Sequence, residues 1–283
     1  MSSSALDTDL RPLLLAGPGF RLAEVDARST PGFPHGKKVG KAALKKGAKA
    51  LSCAQEQLFA ESRQGGGRSV LLILQAMDTA GKGGIVRHVI GAVDPQGVHH
   101  HAFKAPTAAE RRHDFLWRIR KQLPAPGMIG VFDRSHYEDV LVHKVRGLST
   151  AEKVEGRYDA IAQFEAELAG AETRVLKVML HVSKKEQKRR LAERLDRPDK
   201  YWKYNPADVD ERAHWRDYQE AYSTAISRTA TGAAPWYVVP ADRKWYARLA
   251  VQHLLASTLA DLRLDWPEAH FDVEAERKRL AAS

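Results

Sequence analysis

The stretch LLILQAMDTAGKGG, residues 71–84, has the outline of a phosphate-binding loop with two of its usual parts exchanged. The common loop runs G-x-x-x-x-G-K-[ST] from a buried strand into a helix. With Gly81 and Lys82 aligned on that pattern, Ala76 stands at the first glycine and Gly83 at the magnesium-binding hydroxyl. The context is right: the apolar run VLLILQ precedes the loop, and GIVRHVI follows as a helix start. There, backbone N–H groups and the helix N-terminus face an anion together. Ala80, Gly81, Gly83, Gly84 and Arg87 are then phosphate-binding positions, and Lys82 lies over the phosphoryl being transferred. A glycine-rich turn without a ligand is the competing reading, and the strand-to-helix context disfavours it.

The second candidate is VFDRSHYEDVLVHKV, residues 131–145. An apolar strand ending in an acid is the usual partner of such a loop, its carboxylate holding magnesium. Asp133 ends this strand, where parallel sheets bind ligands, and Arg134 follows as a fork-shaped donor for phosphate oxygens. With no hydroxyl at 83, the metal needs another oxygen, which Asp78 can supply from inside the loop. Magnesium takes one or two carboxylates together with substrate phosphates and water, so Asp78 and Asp133 are the expected pair.

The third is SKKEQKRRLAERLDRPDKYWKYNP, residues 183–206. Arg190 and Arg194 are four apart and share a helix face, and Arg197, Lys200 and Lys203 extend the basic run. A solvated charged helix competes with a mobile basic lid that closes over phosphates and excludes water. The place of the run, late in the chain, favours the lid. Ordinary polar roles are expected for His99, His100, His101, His113 and His136. The Trp and Tyr residues at 201–204 and 215–222 are expected to pack the lid.

These residues need a scaffold, and helix and strand signals alternate to provide one. Residues 37–62 are helical in composition, and VLLILQ is a buried strand. Residues 97–103, 127–133, 173–182 and 236–241 read as further strands. Thr107–Glu110 and Ser149–Glu152 are capping boxes, the first opening a helix through DFLWRIRKQL that Pro124 stops. Ser183–Glu186 caps the basic helix, Pro206 begins a long polar helix to about Thr229, and a last helix starts at Asp242. Strands apolar throughout, alternating with helices, predict a three-layer α/β fold with a parallel sheet covered on both faces. Residues 1–36 read as an extended arm, 37–265 as the domain with a lid at about 184–230, and 266–283 as a tail.

The chain has 283 residues, 43% of them hydrophobic, ample for one large core. Cys53 is the only cysteine, which excludes an internal disulfide framework and a thiolate zinc cluster. No apolar run approaches the roughly 18 residues of a membrane span, and MSSSALDTDLRPLLLAG carries no leader pattern, so a cytoplasmic protein without a membrane partner is expected. Lys and Arg total 45 against 35 Asp and Glu, a net charge of +10 that suits a polyanionic partner.

LQAMDTAGKGG, FKAPT, HDFLWR, VFDRSHYEDVLV, RLAERLDRPDKYWK and PWYVVPADRKWYARL, in this order, resemble the polyphosphate kinase 2 family from about residue 35 to 265. The resemblance implies a P-loop kinase fold with a helical basic lid and magnesium-dependent phosphoryl transfer between inorganic polyphosphate and adenine or guanine nucleotides. It also implies assembly into homodimers or homotetramers. It carries over to Asp78, Gly81 and Lys82 in D-x-A-G-K, to Asp133 and Arg134, and to the lid positions Arg190, Arg194, Lys200 and Lys203. Lys104, in FKAPT, joins the phosphate-binding set. The net charge then has a cause, since polyphosphate carries about one negative charge per unit and its binding should weaken with salt. Family members confined to diphosphates resemble one another in an Asn where this chain has Glu138. Glu138 therefore resembles the subgroup that carries AMP to ADP and on to ATP. The rivals are an ATP-dependent P-loop nucleotide kinase and a nucleic-acid-binding NTPase. No nucleic-acid module is apparent, so no nucleic-acid partner is expected.

Overall fold

A computed structural model describes residue 6 and residues 8–283. In chain order its elements are α1 (Arg11–Leu14), β1 (Leu15–Ala16), α2 (Lys37–Ser62), β2 (Ser69–Ala76), α3 (Lys82–His88), β3 (Val98–Ala102), α4 (Trp117–Arg120), β4 (Ile129–Asp133) and α5 (Val142–Val145). There follow α6 (Ala151–Gly170), β5 (Thr173–His181), α7 (Lys184–Leu195), α8 (Ala207–Glu211), α9 (Trp215–Thr229), β6 (Trp236–Pro240), α10 (Lys244–Asp261) and α11 (Val273–Ala281). Among the described residues six strands form one sheet in the order β1-β6-β5-β2-β4-β3. Every pairing is parallel except β1 on β6.

The apolar run of β2 explains its central place, because all eight of its residues are buried. Side chains alternate across a strand, so Val70, Leu72 and Leu74 enter one core with Leu51 and Leu58 of α2, Ile85 of α3 and Leu254 of α10. Leu71 and Ile73 enter the other with Ile161 and Phe164 of α6 and Tyr222 and Ile226 of α9. Each such burial contributes roughly 1.5–3 kcal/mol before entropy is set against it. The expected three layers are present.

Four details differ from the sequence expectation. The stretch read as an extended arm packs on the domain: Leu10, Leu14 and Leu22 are buried, and Leu15 and Ala16 pair with Tyr237 and Trp236. Its spaced leucines cover apolar surface that the sheet edge leaves open. The Thr107–Glu110 box forms both its bonds, at 2.7 and 3.2 Å, yet supports only a 3₁₀ turn over Glu110–Arg112. His113 is extended there, Asp114 receives the N–H of Leu116 at 3.0 Å, and the helix shrinks to α4. Thr150, accepting from the N–H of Lys153 at 3.3 Å, caps α6 in place of Ser149. The long polar helix is split into α8, a 3₁₀ turn at Arg212–His214, and α9. Residues 207–214 bury nothing, whereas Tyr218, Ala221, Tyr222, Ala225 and Ile226 of α9 are core. Most of α9 is therefore wall, and within the stretch expected as a lid the run 192–214 buries nothing. Among the described residues no helix is long and apolar enough to cross a membrane.

Candidate active site

The loop after β2 turns on three left-handed backbones, Thr79 (φ 63°), Gly81 (φ 125°) and, on the neighbouring strand end, Arg134 (φ 65°). At a non-glycine residue that conformation costs roughly 1–3 kcal/mol, so surrounding contacts must hold it. Helix α7 holds the loop. The Arg190 guanidinium donates to the carbonyls of Thr79 and Ala80 at 3.0 and 2.7 Å, and Gln187 donates to that of Asp78 at 3.0 Å. A trans peptide points its N–H opposite its C=O, so the amides of Thr79 and Gly81 turn away from α7. The first N–H groups of α3, at Lys82 and Gly83, are free of intrahelical partners by geometry. Ala76, at the position of the usual first glycine, is simply the last residue of the strand.

Strand register brings the second half of the site beside the first. Asp133 pairs in register with Leu74, and the N–H of Arg134 donates to the carbonyl of Leu74 at 3.1 Å. Lys82 Nζ lies 3.6 Å from Asp133 Oδ1. Arg134 reaches back to Asp78 at 2.9 Å and stands 3.6 Å from Glu138. Burial opposes the charge of Arg134, but Glu138 and Asp78 outweigh it and keep the guanidinium protonated. Burial raises Glu138 above the ordinary carboxylate range, although Arg134 and Lys82 pull the other way. With the Gln75 amide oriented to satisfy both ends, it donates to Glu138 at 3.0 Å and accepts from Ser135.

Asp78 and Asp133, with side chains 27% and 25% exposed, line one cleft of about 670 Å³ together with Lys82, Arg87 and the lid. Among the described residues no group of three or more His, Cys, Asp or Glu side chains could hold a metal alone. Two hard carboxylates lining one cleft would fit a magnesium ion that takes its remaining ligands from phosphate oxygens and water.

The cleft also carries a bank of cations. Arg194, Arg197, Lys200 and Lys203, from the end of α7 onward, line it together with Lys244 and Arg248 of α10. Burial lowers Lys244 and Arg248, and Arg190 beside the first and Arg87 beside the second lower them further. Cations that repel one another in a partly desolvated wall are relieved by an anion. Sequence reasoning missed Lys244 and Arg248, although their i, i+4 spacing in DRKWYARL put them on one face. Trp202, expected to pack the lid, is instead 79% exposed at the cleft, with Lys203 Nζ 4.7 Å from its ring.

The structure places three expected residues differently. Arg190 is not a solvated lid charge: it is 4% exposed and also donates to Ala241 O at 2.6 Å, Asp242 O at 3.0 Å and Glu186 at 2.8 Å. Its i, i+4 partner Arg194 does lie outward, bracing Lys203 O at 2.7 Å and Asp208 at 3.2 Å. Lys104 is exposed on the loop after β3, where its carbonyl accepts from Arg118 at 2.7 Å, and neither it nor Glu138 lines the cleft. The histidines have ordinary surroundings, His99 beside Gln122, His113 stacked on Trp117, His136 against Glu165. A second hollow, of about 710 Å³ on the outer face of α9, shares no residue with the phosphate-loop cleft.

Comparison with known proteins gives one consistent result. The family model described as Polyphosphate kinase 2 matches residues 35–265. An AMP/ADP-polyphosphate phosphotransferase of Meiothermus ruber is 44% identical over 249 residues, 88% of this chain and 92% of its own. An ADP-polyphosphate phosphotransferase of Rhodopseudomonas palustris is 43% identical over 242 residues, 81% of each chain. The crystal structure of polyphosphate kinase 2 from Arthrobacter aurescens TC1 superposes with a TM-score of 0.96 at 56% identity, covering 98% of both chains.

Proposed function

This chain belongs to the polyphosphate kinase 2 family, and on that premise we propose that it transfers phosphoryl groups between inorganic polyphosphate and nucleoside mono- and diphosphates. The observation that carries the proposal is the pairing of Lys82 and Asp133 in a cleft lined also by Arg194, Arg197, Lys200, Lys203, Lys244 and Arg248. A nucleotide alone needs about three phosphate subsites; so many Arg and Lys side chains lining one cleft suit a longer linear polyanion.

In the forward sense, an oxygen of the acceptor's terminal phosphate attacks the end phosphorus of polyphosphate. The bond from that phosphorus to the next bridging oxygen breaks, and the shortened polyphosphate leaves with the electron pair. Positioning and charge neutralisation supply most of the catalysis in such chemistry. Lys82 neutralises the transferred group, the loop amides cradle it, and Arg134 holds the acceptor phosphate. When bound between Asp78 and Asp133, magnesium supplies further neutralisation of the phosphate oxygens. Lys200, Lys203, Arg194 and Arg197 hold the polyphosphate tail. We assign Glu138 to the acceptor side, where a carboxylate suits the shorter AMP, in keeping with the printed activity of the Meiothermus ruber relative. A cytoplasmic homodimer or homotetramer acting on these small substrates completes the reading. Polyphosphate and ADP supplied without ATP test it.

A further inference from the structure

Behind the turn that carries Glu138 lies a sealed polar cluster outside the cleft. Lys177 of β5 and Glu165 of α6 are 0% and 1% exposed, and His136 and Tyr137 of the turn are both 0% exposed. Lys177 spends its three protons on Glu165 at 2.5 Å, Thr229 O at 2.8 Å and the Tyr137 hydroxyl at 3.0 Å. The Tyr137 hydroxyl lies 2.8 Å from Glu165, to which it donates, and 2.9 Å from Thr229 Oγ1. His136 Nε2 is 3.2 Å from the same carboxylate. Burial works against the charge of Glu165, but Lys177 and His136 outweigh it and hold the carboxyl below its ordinary range.

Stability alone does not account for this cluster. A buried ion pair costs so much desolvation that apolar residues of the same volume are often as stabilising or more so. The turn, by contrast, needs outside support. It follows the left-handed Arg134 and is a single 3₁₀ turn, His136–Asp139, capped by Ser135 but of a kind whose bonding is weaker than an α-helix's. Tyr137 is its downward anchor, clamped by Lys177 and Glu165 and packed on Trp236 at 4.8 Å. The next residue, Glu138, projects to Arg134 and Gln75 instead. What fixes Tyr137 therefore fixes Glu138 and, through it, Arg134.

We propose that Lys177 and Glu165, acting through the Tyr137 hydroxyl, position Glu138 and, through it, the cleft-lining Arg134 against the acceptor nucleotide's phosphate. This rests on the function proposed above. Neither residue touches substrate; both are positioning residues, and their loss should fall on the acceptor and spare the polyphosphate side.

The test replaces the pair together, Glu165→Met with Lys177→Met, which removes both charges at similar volume. Melting temperature, the polyphosphate KM, and kcat/KM for ADP and for AMP are measured against the parent. The expected result is a folded protein whose acceptor kcat/KM falls at least about tenfold, since small misplacements of reacting groups are costly. Its polyphosphate KM should stay within about twofold. Should the double variant fail to fold, Tyr137→Phe, which keeps the ring packing and removes the hydroxyl, is expected to give the same acceptor-specific loss. A folded variant with a smaller loss, or one shared equally by the polyphosphate KM, overturns the proposal. A parent that makes no nucleotide phosphate from polyphosphate contradicts the function itself, and this inference with it.

Discussion

Lys82 Nζ stands 3.6 Å from Asp133 Oδ1 and 3.5 Å from the carbonyl of Ala76, so the first residue of α3 is bound to the ends of two adjacent parallel strands. The ammonium is thereby held in the cleft by the sheet, ready for phosphate, without depending on the lid.

Lys82→Ala should keep the fold, because the loop is fastened by Arg190 and Gln187 and not by Lys82. Phosphoryl transfer should fall about a hundredfold or more, the usual consequence of removing one preorganised charge donor. Circular dichroism and turnover on the same preparation check both halves.

Asp78→Asn and Asp133→Asn should each abolish most activity at ordinary magnesium concentrations and recover part of it at high magnesium. Chelation should silence the parent. Turnover that survives thorough chelation would mean that the two carboxylates serve another purpose.

Arg190 and Arg197 should separate stability from binding. Arg190→Ala strips four loop carbonyls of a charged donor. A loss on the order of 3 kcal/mol, several degrees in melting temperature, is expected. Arg197, half-exposed beside Asp199 and Glu193, contributes little to folding. Arg197→Ala should leave the melting temperature unchanged, raise the polyphosphate KM and flatten its salt dependence.

The same helix gives a pH signature. Hydrogen bonds from Arg189, then from Arg190 against the opposing effect of burial, lower Glu186 from 4.5 to about 2. A depressed carboxylate stabilises the fold above its unfolded pKa and stops doing so as pH falls through the folded one. The melting-temperature gap between parent and Glu186→Gln should be constant above pH 4.5, shrink between 4.5 and about 2, and vanish below. A gap that persists at the acid end would show that the carboxylate charge is not what braces Arg190.

How far the site was legible follows from which contacts are local. Strand β2, the loop and Asp133 were readable because unbroken apolarity, a glycine pair and a strand-terminal acid are all short-range signals. The burial of Arg190 was not read, although Gln187, Arg190 and Leu191 carry the i, i+3, i+4 spacing of an inward face. Two arginines in a basic run look solvated until backbone carbonyls from distant segments surround one of them. Lys177 was hidden for the same reason: a buried charge in the middle of TRVLKVMLHV makes sense only once Glu165 arrives from the helix before it. The split of the helix at Trp215 was invisible because the local pattern is helical on both sides, and the break marks where solvent ends and core begins.

Glu138→Asn should retain ADP phosphorylation and lose most AMP phosphorylation. An Asn there keeps a polar group beside Arg134 but offers a cation or a short acceptor much less charge. The rate ratio for the two acceptors, parent against variant with polyphosphate as donor, decides it. An unchanged ratio would remove Glu138 from the acceptor side.

The central claim is tested most directly by ATP formation from ADP, magnesium and inorganic polyphosphate in the complete absence of added ATP, with any adenylate-kinase-type conversion monitored as AMP. The expected result is ATP accumulating with polyphosphate consumption, abolished in Lys82→Ala and weakened by salt. ATP that fails to appear from polyphosphate, while the same protein moves phosphate from ATP to a small acceptor, would contradict it and restore the ATP-dependent kinase.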